Sequence, residues 1–227
     1  MSRIVIFNAD DFGAADCLNR GIVAGHVEGV VTSTSLMVAG EAAQEAARLA
    51  ASHPGLAVGL HWDLDGVRTP VVDFEDSHAV RDELERQLLV AERMLPRPLT
   101  HLDSHHHLHS RPQIAPIARE LARRSGLPLR GASEVHYIGG FYAQWEDGVD
   151  ELEHVSVEAL ESILRGELAD GWTEIGCHPG YLDDAFQSGY RIGREAELKT
   201  LMDPRVRRLI DELGLRLASF AELAAGS

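Results

Sequence analysis

Short β-rich runs alternate with helical patterns along almost the whole of this 227-residue chain, and that alternation restricts its fold more than any other feature. RIVIFNADD (3–11) reads as a buried strand ending in polar groups. AADCLNRGIVAGHVEG (14–29) carries apolar residues at helical spacing and stops at Gly29. The pattern repeats: strands are expected in VVTSTSLMV (30–38), LAVGLHWDL (56–64), LTHLDSH (99–105), LPLRG (127–131), TEIGCHPG (173–180) and RLASF (216–220). Helices are expected between them, among them VRDELERQLLVAERML (80–95), whose Leu84, Leu88, Ala91 and Leu95 form one stripe. Ser110 with Gln113 reads as a capping box before QIAPIARELARRSG (113–126), with Pro112 where a first turn tolerates proline, and SFAE (219–222) reads as a second box. GREAELKTLMDPRVRRLIDEL (193–213) reads as a further helical region. Strand followed by helix, repeated six or seven times, means a parallel sheet with helices packed outside it.

Two parallel architectures are open, a barrel and a doubly wound sheet. NADDFGAAD (8–16) has a single glycine and two adjacent acids where a nucleotide fold would want G-x-G-x-x-G. Ionisable residues recur instead at several strand ends: Asp10 and Asp11, His61 and Asp63, His101 to His107, and His178. Side chains gathered from the C-terminal ends of several strands mark the open face of a barrel. The expectation is one α/β domain over residues 1–227, an irregular TIM-like barrel of about seven strands with its site at that face.

Each motif has a plain structural reading beside a chemical one. In NADDFG one Asp could cap the following helix and the other be solvated. Both serve one site only if the chain turns there, which Gly13 makes plausible. His61 in VGLHWDL could be a hydrogen-bonded core histidine, and so could His178, although the Pro-Gly after His178 would hold its imidazole at the rim. THLDSHHHLHS (100–110) is harder to read structurally, because five of the chain's 12 histidines fall in eleven residues. In an extended strand His101, Asp103, His105 and His107 share one face, and His106 lies on the other. Burying those groups together is costly unless they pair or bind an ion. Asp103 could take the N–H of a neighbouring imidazole and so set which nitrogen faces a metal. A carboxylate and imidazoles from separate strands form a mixed O/N ligand set with room for water, as hydrolytic divalent-metal sites require.

Composition removes other classes of function. A formal charge of −15 opposes binding to nucleic acid phosphates and to anionic lipid. No apolar run approaches the ~20 residues of a membrane span. Cys17 and Cys177 cannot make a disulfide framework and the N-terminus has no leader-like segment, so a cytoplasmic location is expected. A neutral or modestly charged small-molecule substrate fits best, and exposed apolar residues on the barrel helices could pair two copies into a homodimer.

Taken in order, NADDFG, GVVTSTSLM, VGLHWDL, HLDSHHHLH, EIGCHPGY and REAELKTL resemble the YdjC-like carbohydrate deacetylases, from about Ile4 to about Leu201. The resemblance implies an irregular TIM-like barrel, one divalent metal ion (Mg2+ or Zn2+), and removal of an acetyl group from an N-acetylated amino sugar. By motif it implies Asp11, His61 and one histidine of the cluster, His105 in its D-S-H context, as metal ligands. It implies Asp10 as catalytic base and His178 as general acid. Arg194 in R-x-x-E-L is expected to support the site by pairing with an acid such as Asp10. Asp103, His101 and His107 are expected to orient the ligand histidine or line the pocket. Two departures bear on substrate: the segment after Leu64 is brief, and Trp62 stands where a smaller residue is commoner and could be a sugar-stacking platform. The competing readings are a metal-dependent hydrolase of another amide or an ester, and a non-catalytic metal- or sugar-binding protein.

Overall fold

The computed structural model describes residues 3–66, 70–144, 149–184, 186 and 188–225. Among the described residues seven strands lie in one sheet: β1 (Arg3–Phe12), β2 (Ser33–Leu36), β3 (Ala57–Trp62), β4 (Leu102–Ser104), β5 (His136–Ile138), β6 (Gly171–Cys177) and β7 (Arg216–Leu217). Every pairing is parallel, in the order β4-β3-β2-β1-β6-β5, with β7 also on β1. Eight α-helices among the described residues connect and cover the strands: α1 (Asp16–Val27), α2 (Ala43–Ser52), α3 (Ser77–Met94), α4 (Ala115–Ser125), α5 (Val157–Gly166), α6 (Ile192–Leu201), α7 (Pro204–Glu212) and α8 (Phe220–Ala225). Among the described residues β4 and β5 do not pair, so the sheet curls into an irregular barrel that stays open on that side. The expected α/β barrel of about seven strands is the observed fold.

Strand alternation separates two environments. Val5, Phe7 and Ala9 of β1 join Leu60, Trp62 and Leu84 in the large core between sheet and helices. Each large apolar side chain buried there contributes about 1.5–3 kcal/mol. The alternate residues face the barrel interior, where Ile6 packs with Ala57, Val135, Phe220 and Leu223 in a small second core. Helix α8 closes this end: the Phe220 N–H bonds to the Ser33 hydroxyl at 3.1 Å, and the Phe220 ring stacks on His101 at 4.0 Å. Above that floor the interior is polar.

Helix boundaries follow local chemistry. Asp76 caps α3 by accepting from the His78 and Ala79 N–H groups, and Gly126 ends α4 in the left-handed region at φ 69°. The expected helical region 193–213 is two helices, because Pro204 has no N–H to continue α6 and Asp203 caps α7 instead. The box expected at Ser110 does not form: its hydroxyl donates to the His107 carbonyl, α4 starts at Ala115, and Pro116 takes the first-turn place. At α8, Glu222 does accept from the Ser219 N–H at 2.9 Å. LPLRG is not a strand. It touches β4 through a single bridge, Leu102 to Leu129, and the next strand in sequence, His136–Ile138, pairs with β6 at the other edge of the sheet.

Candidate active site

The first question is how two adjacent aspartates reach one site. Asp11 is left-handed (φ 68°), and the β1–β2 register shifts between Ala9 and Phe12. A bulge there re-aims the side chain, and Asp tolerates this conformation better than most residues. Gly13 (φ 94°) completes the turn: a Cβ on it would sit 2.9 Å from the Met37 carbonyl, and its N–H is held by Asn19 Oδ1 at 2.7 Å. Asp10 and Asp11 therefore both face the mouth of the barrel, and both are buried.

Directly beneath lies a network centred on Arg130, which the sequence reading did not single out. Its guanidinium makes two 2.7 Å bonds to Asp10, bonds Glu174 Oε1 through Nε (2.9 Å) and Nη2 (2.6 Å), and lies 2.8 Å from Asp103 Oδ2. Asp103 in turn holds His61 Nδ1 at 2.7 Å, as expected of a carboxylate that orients an imidazole, and Asn8 bonds both Asp10 and Asp103. With Nδ1 taken, His61 turns Nε2 toward Asp11 Oδ1, 3.3 Å away. A charged residue at the end of LPLRG was the signal available in the sequence.

The histidine run does not continue as a strand. β4 ends at Ser104, residues His105–Ser110 form a 3-10 turn, and His106 and His107 are left-handed (φ 49° and 52°). The expected single face is therefore broken up. His101 lies at the barrel floor against Phe220, away from the mouth, and burial pushes it down to about 4. His105 reaches the mouth with its ring 6.0 Å from that of His61, and its Nδ1 is held by Asp65 Oδ1 at 2.9 Å. His106 bonds the other oxygen of Asp65 and is exposed. His107 lies beside Tyr137 at the cavity wall, its Nε2 3.4 Å from the hydroxyl. His109 is a buried structural residue bonded to Ser104 and to the Arg130 carbonyl.

The opposite wall comes from the end of β6 and from α6. Gly21 of α1 and Gly180 pack so closely that a Cβ on Gly21 would meet the Gly180 Cα at 2.6 Å, which fixes the His-Pro-Gly turn. His178 Nε2 sits 3.8 Å from Asp10 Oδ2. Arg194 pairs with Asp11 (Oδ2, 2.6 Å) and not with Asp10 as expected, because Arg130 already occupies both Asp10 oxygens. Trp62 is not in the site. It is fully buried on the helix side of β3 with its indole N–H bonded to the Leu84 carbonyl of α3, since strand alternation sends His61 inward and Trp62 outward. Asp63, also at that strand end, closes a turn by accepting the Gly66 N–H. Of the brief segment after Leu64, residues 67–69 lie outside the described residues.

These walls enclose a cavity of about 380 Å³ lined by Asp10, Asp11, His61, His105, His178 and Arg194, with Tyr137, Tyr142 and Tyr190 adding aromatic surface. A cleft of about 420 Å³ at Pro54, Leu95 and Ala221 has no comparable cluster; its Arg97 is spent on backbone carbonyls. Burial would raise the carboxyls of Asp10 and Asp11, but Arg130 and Arg194 outweigh it and hold both well below the usual carboxylate range. Burial pushes Glu174 up to about 7 despite its bonds to Arg130, a guanidinium shared among three acids. His178 is pushed down to about 4 by burial, against the pull of Asp10 and Asp11.

Donor atoms of Asp10, His61 and Asp103, and separately of Asp65, His105 and His106, lie within 4.8 Å of one another. In the first set Arg130 and Asn8 already engage the carboxylates. Asp11 Oδ1, by contrast, is buried with no hydrogen bond, and it faces His61 Nε2. An orphaned carboxylate oxygen opposite an imidazole nitrogen, with a second imidazole beside it, suits a divalent cation. Asp11, His61 and His105 could hold one, each imidazole oriented by a carboxylate on Nδ1, although the donor atoms of these three are not gathered within 4.8 Å as those of the other two sets are.

An irregular parallel barrel with carboxylates and imidazoles at the C-terminal ends of its strands is the architecture of a barrel hydrolase site. The chain belongs to the YdjC-like protein family, which matches residues 4–212. It is 36% identical over 251 residues to a carbohydrate deacetylase of Vibrio parahaemolyticus, covering 98% of this chain and 97% of that one. That alignment is longer than this chain, so the relative carries insertions. It is also 32% identical to a chitooligosaccharide deacetylase of Serratia marcescens, over 98% of this chain and all of the relative. The crystal structure of a putative cellobiose-phosphate cleavage protein from Enterococcus faecalis superposes with a TM-score of 0.82 at 27% identity, covering 98% of this chain and 99% of that one.

Proposed function

We propose that this protein is a metal-dependent deacetylase that removes the acetyl group from an N-acetylated amino sugar. The observation that carries the reading is the convergence of Asp10, Asp11, His61, His105 and His178 on one cavity, with Asp11 Oδ1 unbonded and facing His61 Nε2. The names of the Vibrio and Serratia relatives support the substrate class. Asp11, His61 and His105 would hold the cation, which when bound would acidify water and polarise a carbonyl. Mg2+ and Zn2+ are the candidates, and two imidazoles beside one carboxylate favour zinc.

The remaining groups manage protons. Asp10, kept ionised and fixed by Arg130, takes the proton of the attacking water. His178 is neutral at rest and 3.8 Å from Asp10, so it can receive that proton and deliver it to the leaving amine. Arg194 and Arg130 keep both carboxylates charged and oriented while substrate excludes water from the cavity. The deciding assay is acetate release from N-acetylglucosamine oligomers by chelated protein, with and without added Mg2+ or Zn2+. Release that requires the cation supports the reading. Release from simple esters alone would move the assignment to an esterase, and several bound metals with no turnover would move it to a storage or binding protein.

A further inference from the structure

His178 has a carboxylate neighbour with no part in the chemistry above. Glu197 on α6 is fully buried, and its oxygens accept from neutral donors: Oε2 from the His178 backbone N–H, Oε1 from the Tyr190 hydroxyl. The Arg194 guanidinium is spent elsewhere, on Asp11 and on the carbonyls of Tyr190 and His178. A buried carboxyl with no bonded cation is costly in its ionised form, and burial pushes Glu197 up to about 8. Facing it at 3.9 Å from Oε1 is His178 Nδ1, itself buried and without a hydrogen bond. That gap is longer than a hydrogen bond by about one ångström. Two groups with complementary needs therefore stand just out of reach of each other.

We propose that Glu197 is the positioning residue of the general acid: it fixes His178 through the backbone N–H and accepts Nδ1–H when the ring becomes an imidazolium. The proposal rests on the reading of His178 as the acid. Protons balance around one turnover. The neutral ring carries its proton on Nδ1, gains a second on Nε2 from Asp10, and gives the Nε2 proton to the amine nitrogen as the C–N bond breaks. The ring then returns to its starting form, and Glu197 gains a charged partner only during the interval in which His178 is cationic. Asp10 and Asp11 from β1, Arg130 beneath, Arg194 from α6 and the rings of Tyr142 and Tyr190 also face His178. Of these the carboxylate in contact is Asp10, on the Nε2 side.

The test is Glu197→Gln assayed at pH 9, above the raised value of Glu197, where the substitution removes a carboxylate charge and keeps an acceptor oxygen. On an N-acetylated sugar, whose amine must be protonated to leave, kcat should fall on the order of 10²-fold with KM within about twofold. On 4-nitrophenyl acetate, whose phenolate leaves without a proton, the same variant should keep most of the wild-type rate. Equal losses on both substrates, or none on the sugar, would overturn the proposal. A second measurement needs neither turnover nor metal: 15N NMR of the neutral His178 ring in the chelated protein. The wild-type ring should carry its neutral proton on Nδ1, the nitrogen that faces Glu197 Oε1. An Nε2–H ring refutes the coupling. Should Glu197→Gln fail to fold, the wild-type tautomer decides alone. Should no N-acetylated sugar be a substrate, the NMR result still judges Glu197, so the two readings fail separately.

Discussion

Arg130→Met puts the largest load on the site as built. The guanidinium is 2% exposed and sits within 2.9 Å of three carboxylates, Asp10, Asp103 and Glu174, all deep in the barrel. Methionine fills much of the same length without charge, so the dominant effect is stranded acid rather than lost volume. Breaking one buried ion pair by removing a partner costs about 3–5 kcal/mol. For a domain of this size each kcal/mol moves Tm by about 2–4 °C, so a drop of about 6–20 °C is expected near neutral pH. The pH dependence has a definite sign. In the wild type Asp10 and Asp103 are held below their unfolded values, so their contribution is intact at both pH 5.5 and pH 8 and fades only in strong acid. In the variant the same carboxyls are buried without a cation and their values rise above the unfolded ones. Their protonated forms are tolerated at low pH, and stability is lost as pH climbs through the raised values. The Tm gap between wild type and variant should therefore widen from pH 5.5 to pH 8, as scanning fluorimetry at the two pH values would read it. Adding Glu174→Gln should recover part of the loss by removing one stranded acid. A variant that melts within about 2 °C of wild type, with the same gap at both pH values, would mean that Arg130 is not the hub described here.

Four further outcomes are expected. Asp10→Asn should cut acetate release about 10²–10⁴-fold while the metal content of the purified protein, read by elemental analysis, stays the same. His105→Ala should lose the metal, whereas His101→Ala, stacked on Phe220 at the barrel floor, should keep it and lose thermal stability; the reverse pattern would move the ligand. Asp65→Asn should weaken metal affinity about 10–100-fold by calorimetry, because Asp65 fixes the His105 ring through Nδ1. Trp62→Phe should lower Tm through the lost bond to Leu84 and leave KM for the sugar unchanged, whereas a raised KM would return Trp62 to the substrate.

The fold was legible because its signals are local and repeated: apolar runs of strand length, amphipathic stripes, capping residues. It failed where a strand owes its existence to a distant partner. LPLRG has the composition of a strand, but Pro128 lacks a donor and Gly131 turns the chain at φ 67°, so only Leu129 bridges to β4. HYI has an exposed histidine and no apolar alternation, yet it pairs with Thr173–Ile175 of β6. Arg130 was missed for the same reason: its importance comes from three acids 27 to 120 positions away, and nothing beside it in sequence announces them.

The histidines show most clearly what a one-dimensional pattern leaves out. Alternation gives the face on which a strand residue lies but not its depth along the barrel, and depth decides its chemistry. Two residues along a strand advance about 6–7 Å, so His101 and Asp103, both inward-facing, occupy different layers. Parallel register sets which layer is which: His61 stands opposite Asp103, so that layer receives the imidazole–carboxylate pair. His101 falls one layer lower, buried against the Phe220 ring beside the small apolar core. Above Ser104 alternation itself stops applying, since left-handed His106 and His107 rotate the backbone and Asp65, from the β3 side, chooses which rings are held. A sequence with the same five histidines but a register shifted by two residues would bring His101 level with His61 and carry Asp103 upward, away from Arg130. The proposed ligand set is therefore a property of how β3 and β4 pair as much as of the residues they contain.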